Sequence, residues 1–327
     1  MDWYEPDTRW NLYAKSREDF VNKFVVEGKF HNNVPEDIVK SFETVTYLLA
    51  HSYYHWPMFD EAMSKATLIM ELVIKFKAKA LNISLELPPN KKGVIYKKRL
   101  VDVIDEVFEI KYLKFLYVEF DRARNLRNIK MHPEKHSFMG ALGMAHANAQ
   151  LIVNVTNLLF SEKQILENIT SINDNLKEQL SIFKNGIFVL EYNDTKILIV
   201  NIQYSKYLEE ISNKLLMLYI DPIFSNTKEV FIDKKYPEPL IISLNSFNIE
   251  NGVLNGIDLN NKPVKIYKTD KPENIKRWYQ YANEIQSIDQ KYIQTFIQTN
   301  SSPALWQMEK IIYENCWSEN LEKLELR

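Results

Sequence analysis

The stretch FDEAMSKATLIMELVIKFKAKAL, residues 59–81, decides the fold of the N-terminal half of this chain. Its apolar residues recur at spacings of three and four, which is the period of one face of an α-helix. That face carries Ala62, Ala66, Ile69, Met70, Val73, Ile74 and Ala80. The stretch contains neither proline nor glycine, so it predicts one long helix that packs along a core.

More helices are predicted on both sides of this stretch. Upstream, Pro35 and the acids after it favour a helix start, and an apolar stripe follows at Ile38, Phe42, Val45, Leu48, Leu49 and Tyr53. Downstream, a short helix is predicted over 100–107, and the third and fourth long helices are predicted over 112–130 and 138–160. The last of these is rich in Gly and Ala, which permits close packing. Long amphipathic helices joined by short connections predict a four-helix bundle over 34–161.

The pattern changes near residue 180. Short apolar runs separated by Asn, Pro and Gly predict strands at 187–190, 197–200, 229–232, 240–243, 252–259 and 264–267. Helices are predicted at 204–219, 274–299 and 303–325. We therefore expect an α+β fold, in which the bundle precedes a smaller mixed α/β domain over 180–327. Residues 1–33 form an aromatic arm or helix in this interpretation, and 162–179 form a connector.

Composition excludes several classes of protein. The chain has 327 residues, 46% of them hydrophobic and 26% charged, which suits two globular domains. It has 7 glycines and neither GxGxxG nor GxxxxGK[ST], which argues against Rossmann and P-loop nucleotide sites. The single cysteine, Cys316, excludes an internal disulfide and a cysteine-based zinc site. We expect a cytoplasmic protein without a membrane partner, because no signal peptide and no spanning apolar run is recognisable.

Charge is distributed unevenly. Residues 91–135 contain twelve Lys or Arg and seven Asp or Glu, whereas the whole chain has a net charge of −2. A basic segment in an otherwise acidic chain indicates a local anionic partner. The alternative is a solvated helical face. Within this segment, Tyr96 lies among lysines at 91, 92, 97 and 98 and could stack on a nucleic-acid strand, or the same residues could form a soluble loop.

The candidate chemical centre is the sequence LRNIKMHP at 126–133, where the predicted third helix ends. Histidine titrates near neutrality, so His132 can exchange protons with the oxygens of a reacting phosphodiester. Arginine keeps its charge and offers a planar fork of donors, so Arg127 can bind phosphate oxygens. Asn128 could orient the imidazole or bind RNA. Spacing alone is weak evidence, since chance gives on the order of 0.4 such pairs in this composition.

One motif resembles the HEPN domain superfamily. In it, Leu126-Arg127-Asn128 is followed, after three residues, by His132-Pro133 at the end of the third helix of a bundle. The resemblance covers about residues 34–160. It implies a metal-independent endoribonuclease without a cofactor, of the kind found in toxins and antiviral defence systems. It further implies a homodimer with a composite active site, RNA as substrate, and a regulatory protein or antitoxin as a further partner. Arg127 and His132 would be the catalytic pair, supported by Asn128.

Neighbouring cations extend the expected site. Arg124 lies one helical turn before Arg127, so both can face one cleft, although a surface position is the more common outcome for an arginine. Lys130 and His136 are expected as further substrate contacts. No metal site is expected. His51 and His55 are four residues apart, a spacing that can hold a metal ion on one face of a helix. Their aromatic neighbours favour an ordinary helix end instead.

Two alternatives remain open at this point. Arg127 could simply pair with a carboxylate such as Asp121 or Glu134, while His132 caps the last helical turn. The domain could also be a non-catalytic module that binds nucleic acid or a nucleotide, or that holds a defence assembly together.

Overall fold

The structure is a computed structural model that describes residues 4–131, 144–184, 186–210 and 213–317, with side chains at all of these except 129–131 and 144. The described residues divide into two compact units. Residues up to Leu166, together with those from Ile312 onward, form the first unit, and Glu167–Ile311 form the second.

The first unit is helical, as predicted. Short 3-10 helices lie at Thr8–Leu12 and Lys111–Leu116, and the α-helices are α1 (Arg17–Phe24), α2 (Glu36–His51), α3 (Pro57–Ala80), α4 (Leu100–Phe108), α5 (Tyr117–Met131) and α6 (Met144–Phe160). The end of the chain also belongs here, because Tyr313 donates its hydroxyl to the carbonyl of Glu27 at 3.0 Å. Trp317 donates to the buried side chain of Asn154 at 2.6 Å.

Helix α3 is the centre of this unit, since it packs against α2, α4, α5 and α6. Its buried face includes six of the residues expected from the sequence: Ala62, Ala66, Ile69, Met70, Val73 and Ile74. Ala80 is exposed instead, and Ala78 takes the buried position in the last turn. The helical period does not explain this difference, because residue 80 lies seven positions after the buried Val73; Ala80 is instead the last residue of α3.

The N-terminal segment anchors the first unit through one tryptophan. Trp10 is 1% exposed and donates its indole N–H to the carbonyl of Ser52 at 2.7 Å. Four aromatic rings surround it, namely Phe20, Phe24, Trp56 and Phe59. A buried indole with a satisfied donor and aromatic contacts on several sides stabilises the fold strongly.

The second unit contains a closed barrel of six antiparallel strands in sequence order. These are β1 (Phe188–Tyr192), β2 (Thr195–Glu210), β3 (Asn213–Pro222), β4 (Leu240–Glu250), β5 (Val253–Asp258) and β6 (Pro263–Lys268). Strand β1 pairs with both β2 and β6, which closes the barrel. Tight turns join β1 to β2 and β4 to β5, with positive φ at Asn193, Asp194, Asn251 and Gly252, as two-residue hairpin turns require.

This barrel corrects the expected fold class. The C-terminal domain is not a small mixed α/β domain, and the helix expected over 204–219 is replaced by the paired strands β2 and β3. Residues 215–220 form a continuous apolar run, and all of them are buried. A run that is buried on both faces shows no alternation, so its sequence does not distinguish a strand from a core helix.

The strand expected at 229–232 is also wrong, because this region forms α8 (Thr227–Phe231). The side chain of Asn226 accepts from the backbone N–H of Glu229 at 3.1 Å, which caps the helix. The remaining helices are α7 (Lys163–Gln179), α9 (Pro272–Gln286) and α10 (Gln290–Asn315), with a 3-10 turn at Leu180–Lys184. Among the residues described, no helix is long and apolar enough to cross a bilayer.

Asp7 links the N-terminal segment to the start of α3. Its carboxylate accepts from the Arg9 guanidinium at 2.6 and 2.8 Å and from the backbone N–H of Trp56 at 3.2 Å. The hydrogen bonds from Arg9 are the main reason that the pKa of Asp7 is lowered to about 2. An unfolded aspartate has a pKa of about 3.9, so Asp7 stabilises the fold most fully above that pH.

We expect Asp7→Ala to lower the free energy of unfolding by about 1–2 kcal/mol near neutral pH, because a cap and its charged hydrogen bonds are lost. The difference from the unsubstituted protein should be the same at pH 7 and pH 5 and smaller at pH 3, since Asp7 is partly protonated in the unfolded chain there. Urea unfolding at the three pH values measures this. Glu61→Ala, which removes an exposed carboxylate from α3, is the control. A difference independent of pH would contradict this role for the Asp7 carboxylate.

Candidate functional site

Helix α5 packs against the middle of α3, and this contact brings charged residues together. Phe120 and Ala123 of α5 are buried, and they share a narrow crevice with Met70 and Ile74 of α3. Apolar packing therefore fixes the rotation of both helices. Charged side chains at the edge of the same crevice are held in register by that packing.

Glu71 of α3 is shared by two cations. One carboxylate oxygen, Oε1, lies 2.5 Å from Nζ of Lys75, one turn later on α3. The other, Oε2, lies 3.2 Å from Nε of Arg127 on α5. The Glu71 side chain is only 18% exposed, so its charge requires such partners. One carboxylate between two cations leaves this cluster with a net charge of about +1.

Asn128 contacts Arg127 directly. Its side-chain oxygen accepts from Nη1 of Arg127 at 3.2 Å. Arg127 thus forms an ion pair with Glu71 and donates to Asn128 through Nη1, whereas its Nε is buried and makes no hydrogen bond to a described residue. The Arg127 side chain remains 29% exposed. Within the described part of the chain, no protein group accepts a hydrogen bond from Nη2.

Arg124 lines the same crevice as Arg127, as expected for residues one helical turn apart. Its own partner is Asp121, whose Oδ1 accepts from Nη2 at 2.7 Å and from Nε at 2.9 Å. Asp121 is therefore the partner of Arg124 rather than of Arg127. The ion pair that the sequence suggested between Arg127 and Asp121 is replaced by the pair with Glu71 on another helix.

The remaining residues of the expected site differ in how far they can be described. His132 and His136 lie outside the described residues, and so does Glu134. Lys130 is part of α5, but its side chain is not among those described. The part of the site that the structure describes is thus its cationic half, formed by Arg124, Arg127 and the neighbouring Lys75.

Sequence reasoning missed Glu71 and Lys75. They are four residues apart in a helix whose other residues are mostly apolar, a spacing that places them side by side. A charged pair beside the most buried face of a central helix was the signal that could have identified them. The partner of Glu71 on α5 could not be read in the same way, because that contact depends on tertiary packing.

Other candidates from the sequence have ordinary structural roles in the described part of the chain. His51 stacks on Tyr47 with ring centroids 4.2 Å apart, and His55 is exposed. In the basic segment, Lys98 pairs with Glu106 at 2.6 Å and Arg99 pairs with Asp102 at 2.6 Å. These two ion pairs favour a structural role for that half of the lysine-rich cluster.

No known protein family, curated protein or solved structure matches this chain.

Proposed function

We propose that the first unit is a metal-independent endoribonuclease of the HEPN type. The observation that carries the proposal is the Glu71 carboxylate, which contacts both Lys75 and Arg127. Arg127 lies five residues before His132 in the sequence. Three further features agree with it: the guanidinium of Arg127 is partly exposed, Arg124 lines the same crevice, and the surrounding segment is basic. A fixed group of cations suits a phosphodiester that gains negative charge during reaction.

The reaction needs only the RNA and protein side chains. The 2′-hydroxyl oxygen attacks the adjacent phosphorus while a histidine removes its proton, and the bond from phosphorus to the 5′-oxygen breaks. A proton donated to that oxygen completes the step. The products are a 2′,3′-cyclic phosphate and a 5′-hydroxyl. Arg127 and Lys75 stabilise the charge on the non-bridging oxygens, and His132 transfers protons.

A single His132 cannot be base and acid in the same step, so we propose that two copies of the chain contribute one histidine each. The protein should then be a homodimer at the concentrations at which it is active. Light scattering coupled to size exclusion measures the mass, and dilution should reduce the specific activity as the mass approaches that of one chain. Full activity of a strictly monomeric sample would overturn the composite site.

We expect the purified protein to cleave single-stranded RNA in the presence of EDTA and to leave 2′,3′-cyclic phosphate ends. His132→Ala and Arg127→Ala should each reduce the rate at least about 100-fold, because proton transfer and charge stabilisation contribute that much or more. His55→Ala and Arg17→Ala are matched controls at exposed positions and should retain the full rate. Binding of RNA without cleavage would reject the enzyme and favour the non-catalytic alternative.

Glu71 is proposed as a positioning residue, and a double-mutant cycle tests this role. Glu71→Gln should lower kcat by about tenfold or more, because Arg127 loses the charge that orients it. Once Arg127→Ala is present, adding Glu71→Gln should lower the rate little further, since the group it orients is already gone. Glu61→Gln, on the exposed side of α3, should leave kcat unchanged in both backgrounds.

Full additivity of the Glu71 and Arg127 effects would show that Glu71 does not act through Arg127. Loss of stability could imitate a loss of rate, so the urea midpoint of each variant is measured in parallel. The rates of all variants in the double-mutant cycle are measured at a temperature at which every variant is folded.

A further inference from the structure

The second unit carries an open groove of about 1070 Å³ on its barrel. Its walls come from the turn between β1 and β2, from the middle of β4 and β5, and from the start of β6. This volume is slightly above the range of about 300–1,000 Å³ for small-molecule sites. Nothing in the proposed cleavage reaction uses it.

Strand register builds one side of the groove. Lys196, Glu191, Lys265, Asn255 and Asn248 are direct cross-strand neighbours, in that order, on β2, β1, β6, β5 and β4. Apart from Thr195 and Gly256, the residues that flank them in each strand belong to the barrel core or pack against it. Because side chains alternate along a strand, all five point outward. We call them the outer row.

Several polar groups of the groove make no ion pair or hydrogen bond within the part of the chain described, although the Lys265 ammonium lies 5.3 Å from the centroid of the Tyr267 ring. Glu191 is already neutralised, since it lies 2.6 Å from Nζ of Lys196 and accepts from the hydroxyl of Tyr267 at 2.8 Å. By contrast, no carboxylate in that part lies within ion-pair distance of Lys262 or Lys265. The exposed side-chain amides of Asn248 and Asn255 likewise make no hydrogen bond to a described residue.

The end of the groove that carries Lys262 is rigid. Asp258 is 3% exposed and accepts from the backbone N–H of Asn260 at 2.8 Å and of Lys262 at 2.7 Å. Its second oxygen accepts from the hydroxyl of Tyr192 at 2.8 Å. The loop between β5 and β6 is therefore fixed to the barrel, and Lys262 extends from a fixed backbone. Groups held in this way lose less entropy when a ligand binds.

These groups differ in what they recognise. Unpaired ammonium groups bind phosphate, and side-chain amides provide the donor and acceptor pair that matches the edge of a nucleobase. We propose that this groove binds a segment of single-stranded RNA, with Lys262 and Lys265 on phosphates and Asn248 and Asn255 on bases.

The size of the groove favours a strand over a single nucleotide. Its volume of about 1070 Å³ lies just above the roughly 300–1,000 Å³ that is typical of sites for one small ligand. Small barrels that bind single strands use sites of about 4–16 nucleotides.

Fluorescence anisotropy with a labelled 12-nucleotide 2′-O-methyl RNA of mixed sequence tests the proposal on the full chain. This probe has no free 2′-hydroxyl and cannot be cleaved, so binding is measured whether or not the first unit is an enzyme. The double variant Lys262→Ala with Lys265→Ala should bind about tenfold more weakly. The magnitude of its slope of log K against log salt should be smaller by about 1.4, which is about 0.7 for each lost phosphate contact. Asn255→Ala should weaken binding without changing that slope.

The matched control is Lys268→Ala, which removes an exposed lysine at the far end of the same strand and should leave affinity and slope unchanged. The proposal is wrong if the double variant binds the probe with the same affinity as this control. It is also wrong if adenosine monophosphate displaces the probe at the same concentrations as the unlabelled oligonucleotide, because the ligand would then be a free nucleotide. All substituted residues are exposed, so circular dichroism should be identical for every variant.

Discussion

Helix α3 packs against four other helices, and Glu71 lies at the edge of its buried face with 18% of its side chain exposed. A carboxylate that has lost most of its hydration is unfavourable unless cations compensate for it. Lys75 provides one cation from the same helix, and Arg127 provides the other from α5. Apolar packing orients α5 against α3, and the ion pair with Glu71 restricts where the guanidinium of Arg127 lies.

The second unit follows from a different constraint, which is backbone hydrogen bonding. Closing six strands into a barrel pairs both edges of the sheet, so neither β1 nor β6 is left with unpaired backbone groups. The buried side chains set the strand register, and that register determines which outward residues lie next to each other. The outer row from Lys196 to Asn248 is a consequence of that register. Its chemical character comes from the sequence, and its continuity comes from the closed barrel.

How much could be predicted from the sequence differs between the two units for a physical reason. The helices of the first unit are amphipathic, so the period of their apolar residues indicates both their extent and their buried face, as it does for α2 and α3. Strand β3 is buried on both faces and has no such period, so its leucines were assigned to a helix. Arg127 was identified from its local motif. Its partner Glu71 was not, because that contact joins residues 56 positions apart.

The two candidate sites use cations in different ways. Around Glu71, both Arg127 and Lys75 have a carboxylate partner, which restricts their positions. The same partner reduces the number of counterions that these cations would release when they bind a phosphate. Such an arrangement favours orientation over affinity, as a reaction requires. At the barrel groove, Lys262 and Lys265 lack such partners in the described part of the chain, so each can release counterions when it binds a phosphate. That arrangement favours affinity and strong salt dependence. A protein that must both hold an RNA and react with it gains from keeping these two properties at separate sites.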